Sequence, residues 1–254
     1  MMAGKNISLP VAAKLLLAMA VGLSAAPSAS AQTDAPGDIS VTGGAVLVSD
    51  YRYRGLSQTG GDIAFQPQIT VQHYSGIYAG AWASNIKDTA ILGGLETQLY
   101  GGYAREIASG TTLDVGLTYY LYPDGKQAMG NSDYAELNSQ IGYLIGPVEA
   151  KASLDYAWNQ SALGSDNLYA SFAVSAGIPN TPVTIKAQTG YTDGALARFG
   201  PKDHVWDWSL GASANIGPVT AGLSYVDTNV RTTGVKALDK YYDGQIILSL
   251  GLFF

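Results

Sequence analysis

Val148-Glu149-Ala150-Lys151-Ala152-Ser153-Leu154-Asp155-Tyr156-Ala157-Trp158-Asn159 carries the pattern on which the fold turns. Successive side chains of an extended strand point to opposite sides. Val148, Ala150, Ala152, Leu154, Tyr156 and Trp158 therefore share one face, and Glu149, Lys151, Ser153, Asp155, Ala157 and Asn159 share the other. One face is apolar throughout, and the other carries charge.

The same period of two recurs in both directions along the chain. Val183, Ile185, Ala187, Thr189 and Tyr191 alternate with Thr184, Lys186, Gln188, Gly190 and Thr192. Leu113, Val115, Leu117, Tyr119 and Leu121 alternate with Asp114, Gly116, Thr118, Tyr120 and Tyr122. Trp206, Trp208, Leu210, Ala212, Ala214 and Ile216 alternate with Asp207, Ser209, Gly211, Ser213 and Asn215. The pattern predicts twelve strands, at 39–50, 63–73, 77–86, 95–106, 111–122, 134–145, 148–158, 168–178, 183–192, 205–216, 219–228 and 244–254. The first and third alternate weakly. Strands of about ten residues are long enough to cross a bilayer at a tilt.

Composition agrees with a membrane sheet rather than a soluble domain. Charged residues are 13% of the chain, against about 25% in soluble domains. Glycine (31) and tyrosine (17) are abundant. No apolar run after residue 31 is long enough for a membrane helix. A transmembrane barrel needs neither high charge nor long apolar runs, since only alternate residues meet lipid. Lipid cannot satisfy free backbone groups, so such a sheet must close on itself. The expected fold is all-β: an up-and-down antiparallel transmembrane barrel of about twelve strands.

The chain is expected to divide into a signal peptide, 1–31, and a barrel domain, 32–254. Lys5 and Lys14 precede an apolar stretch from Leu15 to Leu23, and small residues end in Ala29-Ser30-Ala31. This is the layout of a cleaved export signal. The formal net charge of −6 becomes −8 once the two lysines leave with that segment. An acidic chain suits no nucleic acid. With no cysteine, disulfides and thiolate metal sites are excluded.

Connections between strands sort into two alternating classes. Tight turns are expected at 74–76, 107–110, 146–147, 179–182 and 217–218, and longer loops at 51–62, 87–94, 123–133, 159–167, 193–204 and 229–243. Short periplasmic turns and longer external loops alternate in this way in outer-membrane barrels. Tyr119, Tyr156, Trp158, Tyr191 and Tyr225 end strands that run toward long loops. Tyr134, Tyr169, Trp206 and Trp208 begin strands that leave them. All are expected to form an aromatic girdle at one membrane interface. The last predicted strand places Ile246, Leu248, Leu250, Leu252 and Phe254 on one face. A terminal Phe on an alternating strand resembles the signal read by the barrel-assembly machinery, an expected partner through Phe254.

Two further blocks carry a family resemblance. Ser49-Asp50-Tyr51-Arg52-Tyr53-Arg54-Gly55-Leu56-Ser57-Gln58-Thr59 and Tyr74-Ser75-Gly76-Ile77-Tyr78-Ala79-Gly80-Ala81-Trp82-Ala83-Ser84-Asn85 resemble the TorF-type family of porin-like outer-membrane proteins of proteobacteria, most strongly over residues 38–106. The resemblance implies an outer-membrane barrel with a porin role. It implies no substrate.

Catalytic and cofactor motifs are missing: there is no Gly-x-Ser-x-Gly, no His-Glu-x-x-His and no phosphate loop. The expectation is a protein that is not an enzyme and holds no cofactor or metal. His73 and His204 are the only histidines. His204 with a nearby serine is the one conceivable route to a lipid-modifying enzyme, and an interfacial polar residue is the simpler reading.

Function is expected to sit on the polar face. Glu96, Asp114, Glu136 and Glu149 lie there, with Lys151, Asp155, Lys186 and Asp207. A charge facing lipid at mid-bilayer costs about 2–4 kcal/mol, so these side chains are expected to line the lumen. The set is mainly acidic, and carboxylate rings favour cations. The alternative is that the acids pair with Lys151, Lys186 and loop arginines and select nothing. Arg52 and Arg54 are either a basic patch at the mouth for anionic solutes or lipopolysaccharide phosphates, or clamps onto acids inside the barrel. Glycines on the polar face (Gly102, Gly116, Gly142, Gly177, Gly190, Gly211 and Gly222) are expected to leave room for a pore. The expected activity is passive diffusion of small hydrophilic solutes or ions across the outer membrane of a Gram-negative bacterium, with outer-membrane lipids and lipopolysaccharide as surroundings. A structural or surface-binding barrel without an open pore is the alternative.

Overall fold

The computed structural model describes residues 38–125, 130–197 and 203–254. The segment read as an export signal, 1–31, lies outside the described residues. The strands are β1 (Ile39–Val48), β2 (Arg52–Tyr53), β3 (Leu56–Ser57), β4 (Ala64–His73), β5 (Ile77–Thr89), β6 (Gly93–Ala108) and β7 (Thr111–Leu121). They continue as β8 (Tyr134–Ile145), β9 (Val148–Ala157), β10 (Asn167–Gly177), β11 (Val183–Gly194), β12 (His204–Ile216), β13 (Val219–Thr228) and β14 (Gln245–Phe253). β2 and β3 form a small hairpin of their own. The other twelve pair antiparallel in chain order, and β1 pairs with β14 to close the barrel. The predicted strands agree with these to within a few residues, including the weakly alternating first and third.

Burial follows parity. On β9, Leu154 and Tyr156 are exposed at 51% and 40%, while Asp155 and Ala157 are buried. On β14, Ile246, Leu248, Leu250 and Leu252 are all exposed. Among the described residues the outer surface is thus apolar and much of the inside polar, the reverse of a soluble domain. This is the arrangement of an outer-membrane barrel, whose exterior dissolves in acyl chains. Tyr119, Tyr156, Trp158, Trp206, Trp208 and Tyr225 face outward among them.

The closing seam depends on two small residues. Gly43 exchanges backbone hydrogen bonds with Phe254, both at 3.0 Å. A Cβ at Gly43 would lie 2.7 Å from the Phe254 ring, and one at Gly44 would strike the Phe253 ring. Only glycine lets the first strand approach the two terminal aromatics.

Turns divide as expected, with one correction. Gly146 and Gly217 take positive φ (57° and 61°), each followed by proline, which gives sharp reversals at the short-turn end. The predicted long loop 87–94 is instead a turn at 90–92, because β5 and β6 run on to Thr89 and from Gly93. A register shift between Asn85 and Thr89 accompanies the extension. Sequence alternation fades where both faces leave the membrane, so hydrophobic pattern could not show that the ladder continues.

Candidate functional site

The first connection decides the lumen. The chain leaves β1 at Ser49 and turns inward. Asp50 organises this loop: its Oδ1 accepts from the hydroxyls of Ser57 (2.5 Å) and Thr59 (2.8 Å), and its Oδ2 accepts from Arg52 Nε at 2.6 Å. Arg52 Nη1 also donates to the carbonyls of Gly55 (3.1 Å) and Asp243 (3.0 Å), tying the first loop to the last. The Gln58 amide donates to the Tyr51 carbonyl at 2.7 Å, and the Gln58 carbonyl accepts from the Lys87 amide. Ser49 Oγ accepts from the Leu248 amide at 3.0 Å. The motif residues of the first block therefore hold one folded insert.

The tip of that insert spans the barrel. Arg54 and Gly55 adopt positive φ (51° and 80°), which swings the Arg54 side chain across the lumen. Its Nη2 donates to both carboxylate oxygens of Glu136 on β8, at 3.0 and 2.9 Å, and lies 3.7 Å from Asp155 on β9. Counting either way round the barrel, β9 is the strand farthest from β1. The guanidinium carbon sits 4.7 Å from the Tyr53 ring and 4.4 Å from the Tyr169 ring, so two aromatic faces enclose the cation. Glu136 also accepts from the hydroxyls of Tyr53 (3.1 Å) and Tyr120 (3.0 Å). Tyr120 stacks on Tyr134 with ring centres 4.5 Å apart.

The remaining polar-face charges divide between two levels. Toward the long loops, Glu96 accepts from Tyr51 (3.2 Å) and Gln98 (2.8 Å), Asp155 accepts from Asn138 (3.0 Å), and Asp207 accepts from Tyr169 (3.3 Å). These carboxylates and Glu136 are all buried. Toward the short turns, Asp114 accepts from Tyr78 at 2.8 Å and Lys151 pairs with Glu149 at 3.0 Å. Lys186 shares this lower level. Asp114, Glu149, Lys151 and Lys186 are half-buried, so among the described residues the polar-face charges near the short turns are more accessible than those near the long loops.

Two expected girdle residues prove to be interior. Tyr134 is 4% exposed and Tyr169 is 1% exposed, both inside the barrel around Arg54. The signal was present: Tyr134 lies two residues before Glu136 and so shares its face. The expected room at the glycines is partly taken as well. The Tyr78 hydroxyl lies over Gly102 and Gly116, and the Tyr169 ring lies over Gly190. Gly142 and Gly177 meet only ordinary contacts. Tyr51, Trp82, Tyr78 and Tyr100 belong to an aromatic cluster on the wall nearest β5 and β6, which parity alone did not single out. His73 Nδ1 lies 2.8 Å from Ser75 Oγ in the turn after β4, a local turn contact. Among the described residues no group of His, Asp and Glu is arranged to hold a metal ion.

Residues 31–254 match the model of a family described as "Bacterial protein of unknown function (Gcw_chp)". None of the curated protein sequences matches the chain. Among solved structures it is similar to "KdgM porin in complex with disordered oligogalacturonate", at 6% identity and a TM-score of 0.55, over 85% of this chain and 98% of that one. It also aligns with OccAB3 of Acinetobacter baumannii, at 11% identity and a TM-score of 0.44, over 87% of this chain and 66% of that one. At such identities the likeness is one of fold, a porin-like barrel.

Proposed function

The chain belongs to the Gcw_chp family of bacterial proteins, and on that footing we propose that it is an outer-membrane porin-like channel for small hydrophilic solutes or ions, narrowed by its first loop. The observation that supports this reading is a closed barrel with an apolar exterior and a charged interior. Twelve strands enclose more space than the side-chain-filled eight-stranded type. In this reading residues 1–31 are an export signal, the barrel spans the outer membrane of a Gram-negative bacterium, and Phe254 presents the last strand to the assembly machinery. Lipopolysaccharide and outer-membrane lipids surround it. The same reading places the chain with the TorF-type porin-like proteins.

We further propose a mild cation preference. Among the described residues near the long loops, Glu96, Glu136, Asp155 and Asp207 face one interior cation, Arg54, while Arg52 is matched by Asp50. An excess of carboxylates lowers the energy of a passing cation. The test is refolded protein in planar bilayers under a salt gradient. Discrete conductance steps with a cation-directed reversal potential are expected, and clear anion preference would overturn the selectivity.

One observation favours a second reading, a barrel without an open pore. The Arg54–Glu136 contact crosses the lumen with every participant buried. Heat-modifiable folded protein that never conducts would support that reading instead.

A further inference from the structure

We propose that Lys186, on the accessible lower wall of the lumen, anchors a subsite for the oxyanion group, carboxylate or phosphate, of a permeating solute; the inference rests on the channel reading above.

Each of the other polar-face charges named above has a protein partner. Glu96, Asp114, Glu136, Asp155 and Asp207 accept hydrogen bonds, and Glu149 holds Lys151. Lys186 is the exception: its ammonium makes no ion pair and no hydrogen bond with the described residues. Register places Lys186 directly between Ser175 of β10 and Gly211 of β12. Gly211 contributes no side chain to cover it. Ser175 is committed to Glu149, at 3.5 Å.

Lys186 shares a face with Gln188, Gly190 and Thr192, opposite the outward Ile185. Its charge therefore points into the lumen. An ammonium confined beside a lipid-backed wall keeps its charge at least cost when an anion accompanies it. Its three donors suit an oxyanion acceptor. Lys151 and Glu149 both lie close enough to act on it electrostatically, in opposite senses, and Glu149 is itself engaged by Lys151 at 3.0 Å and by Ser175 at 3.5 Å. No carboxylate of the described residues pairs with it directly, so a solute oxyanion can take that place. The subsite lies on the side open to the short turns, below the buried network of Arg54, so a solute reaches it without disturbing that network.

This subsite and the cation preference act at different levels. The carboxylates near the long loops set the sign of the mean field. Lys186 sets where an oxyanion pauses.

The test uses full-length refolded protein and citrate as the probe. Citrate added on the short-turn side is expected to block current carried by small ions. Lys186→Gln should weaken the block by about two- to fivefold, as for a partly hydrated ion pair, and Lys186→Arg should preserve it. Lys186→Gln should also shift the reversal potential further toward cations. Equal block in Lys186→Gln and the unaltered protein would overturn the subsite while leaving the channel standing. Absence of current in the unaltered protein would instead count against the channel. Citrate titration of the detergent-refolded barrel by calorimetry then reads the subsite without current: binding lost in Lys186→Gln supports it, and binding unchanged overturns it.

Discussion

Arg54, on the loop after the first barrel strand, donates from one nitrogen to both carboxylate oxygens of Glu136, at 3.0 and 2.9 Å, from the far side of the lumen. The two residues are 82 positions apart in the chain. Both are buried, and the pair sits among tyrosine hydroxyls and rings. Removing one partner of such a pair strands the other as an unpaired buried charge, which typically costs about 3–5 kcal/mol.

Glu136→Ala should therefore release the first loop. Arg54, left with only the more distant Asp155 at 3.7 Å, should be held less firmly across the lumen, and single-channel conductance should rise. Arg54→Met combined with Glu136→Leu and Asp155→Asn should be less destabilised than Glu136→Ala alone, because neither carboxylate paired with Arg54 is left as a buried charge without its cation. Urea titrations of the refolded variants check the order, and equal losses would show that the contact does not hold the loop.

Gly190 faces the Tyr169 ring with no space for a methyl group. A Cβ there would fall 2.5 Å from ring carbons. Gly190→Ala should cost about 1–3 kcal/mol by overpacking. Because Tyr169 also encloses Arg54, the substitution should loosen the first loop, seen as faster proteolysis between residues 49 and 63. Gly142→Ala, where the nearest atoms are 3.8 Å away, should be close to neutral.

The outer face makes a separate prediction. Leu250 is 52% exposed on β14. Leu250→Arg should cost about 2–4 kcal/mol near mid-bilayer. Ser209→Arg, on the inward face of β12, should fold nearly as well as the parent. Folding yields into lipid vesicles would separate them, and similar losses for both would contradict the assignment of outside and inside.

Acid should act on the last external loop. The Thr233 hydroxyl (2.7 Å), then the Thr233 amide, hold the pKa of Asp239 below the usual carboxylate range, with further bonds from Tyr242 and Gly234. A carboxylate whose folded value lies below its unfolded one stabilises the fold above the unfolded value and loses that contribution as pH falls through the folded one. Hydrogen exchange in residues 229–244 should therefore accelerate below about pH 4, the ordinary aspartate range. Asp239→Asn should flatten that pH dependence, and an unchanged acid response in the variant would discount Asp239.

What residue order alone determined is the barrel wall. Alternation from Val148 to Asn159 and its repeats located the strands, the lipid face and the inward charges, because lipid and water sort side chains two residues at a time within each strand. The same parity puts Tyr134 on the face of Glu136, yet aromatic preference for interfaces led to the girdle expectation, which its burial inside the barrel overturned. What only the tertiary structure decided is how the inside is filled. Arg54 could have met solutes at the mouth or acids within, and its sequence neighbours fit both. The choice rests on Glu136 and Asp155, brought together from distant strands by barrel closure, with Tyr53 and Tyr169 around the cation. Local pattern records which side of a strand a residue occupies. It carries no record of which opposite wall a loop will reach, since that contact exists only once the sheet has closed.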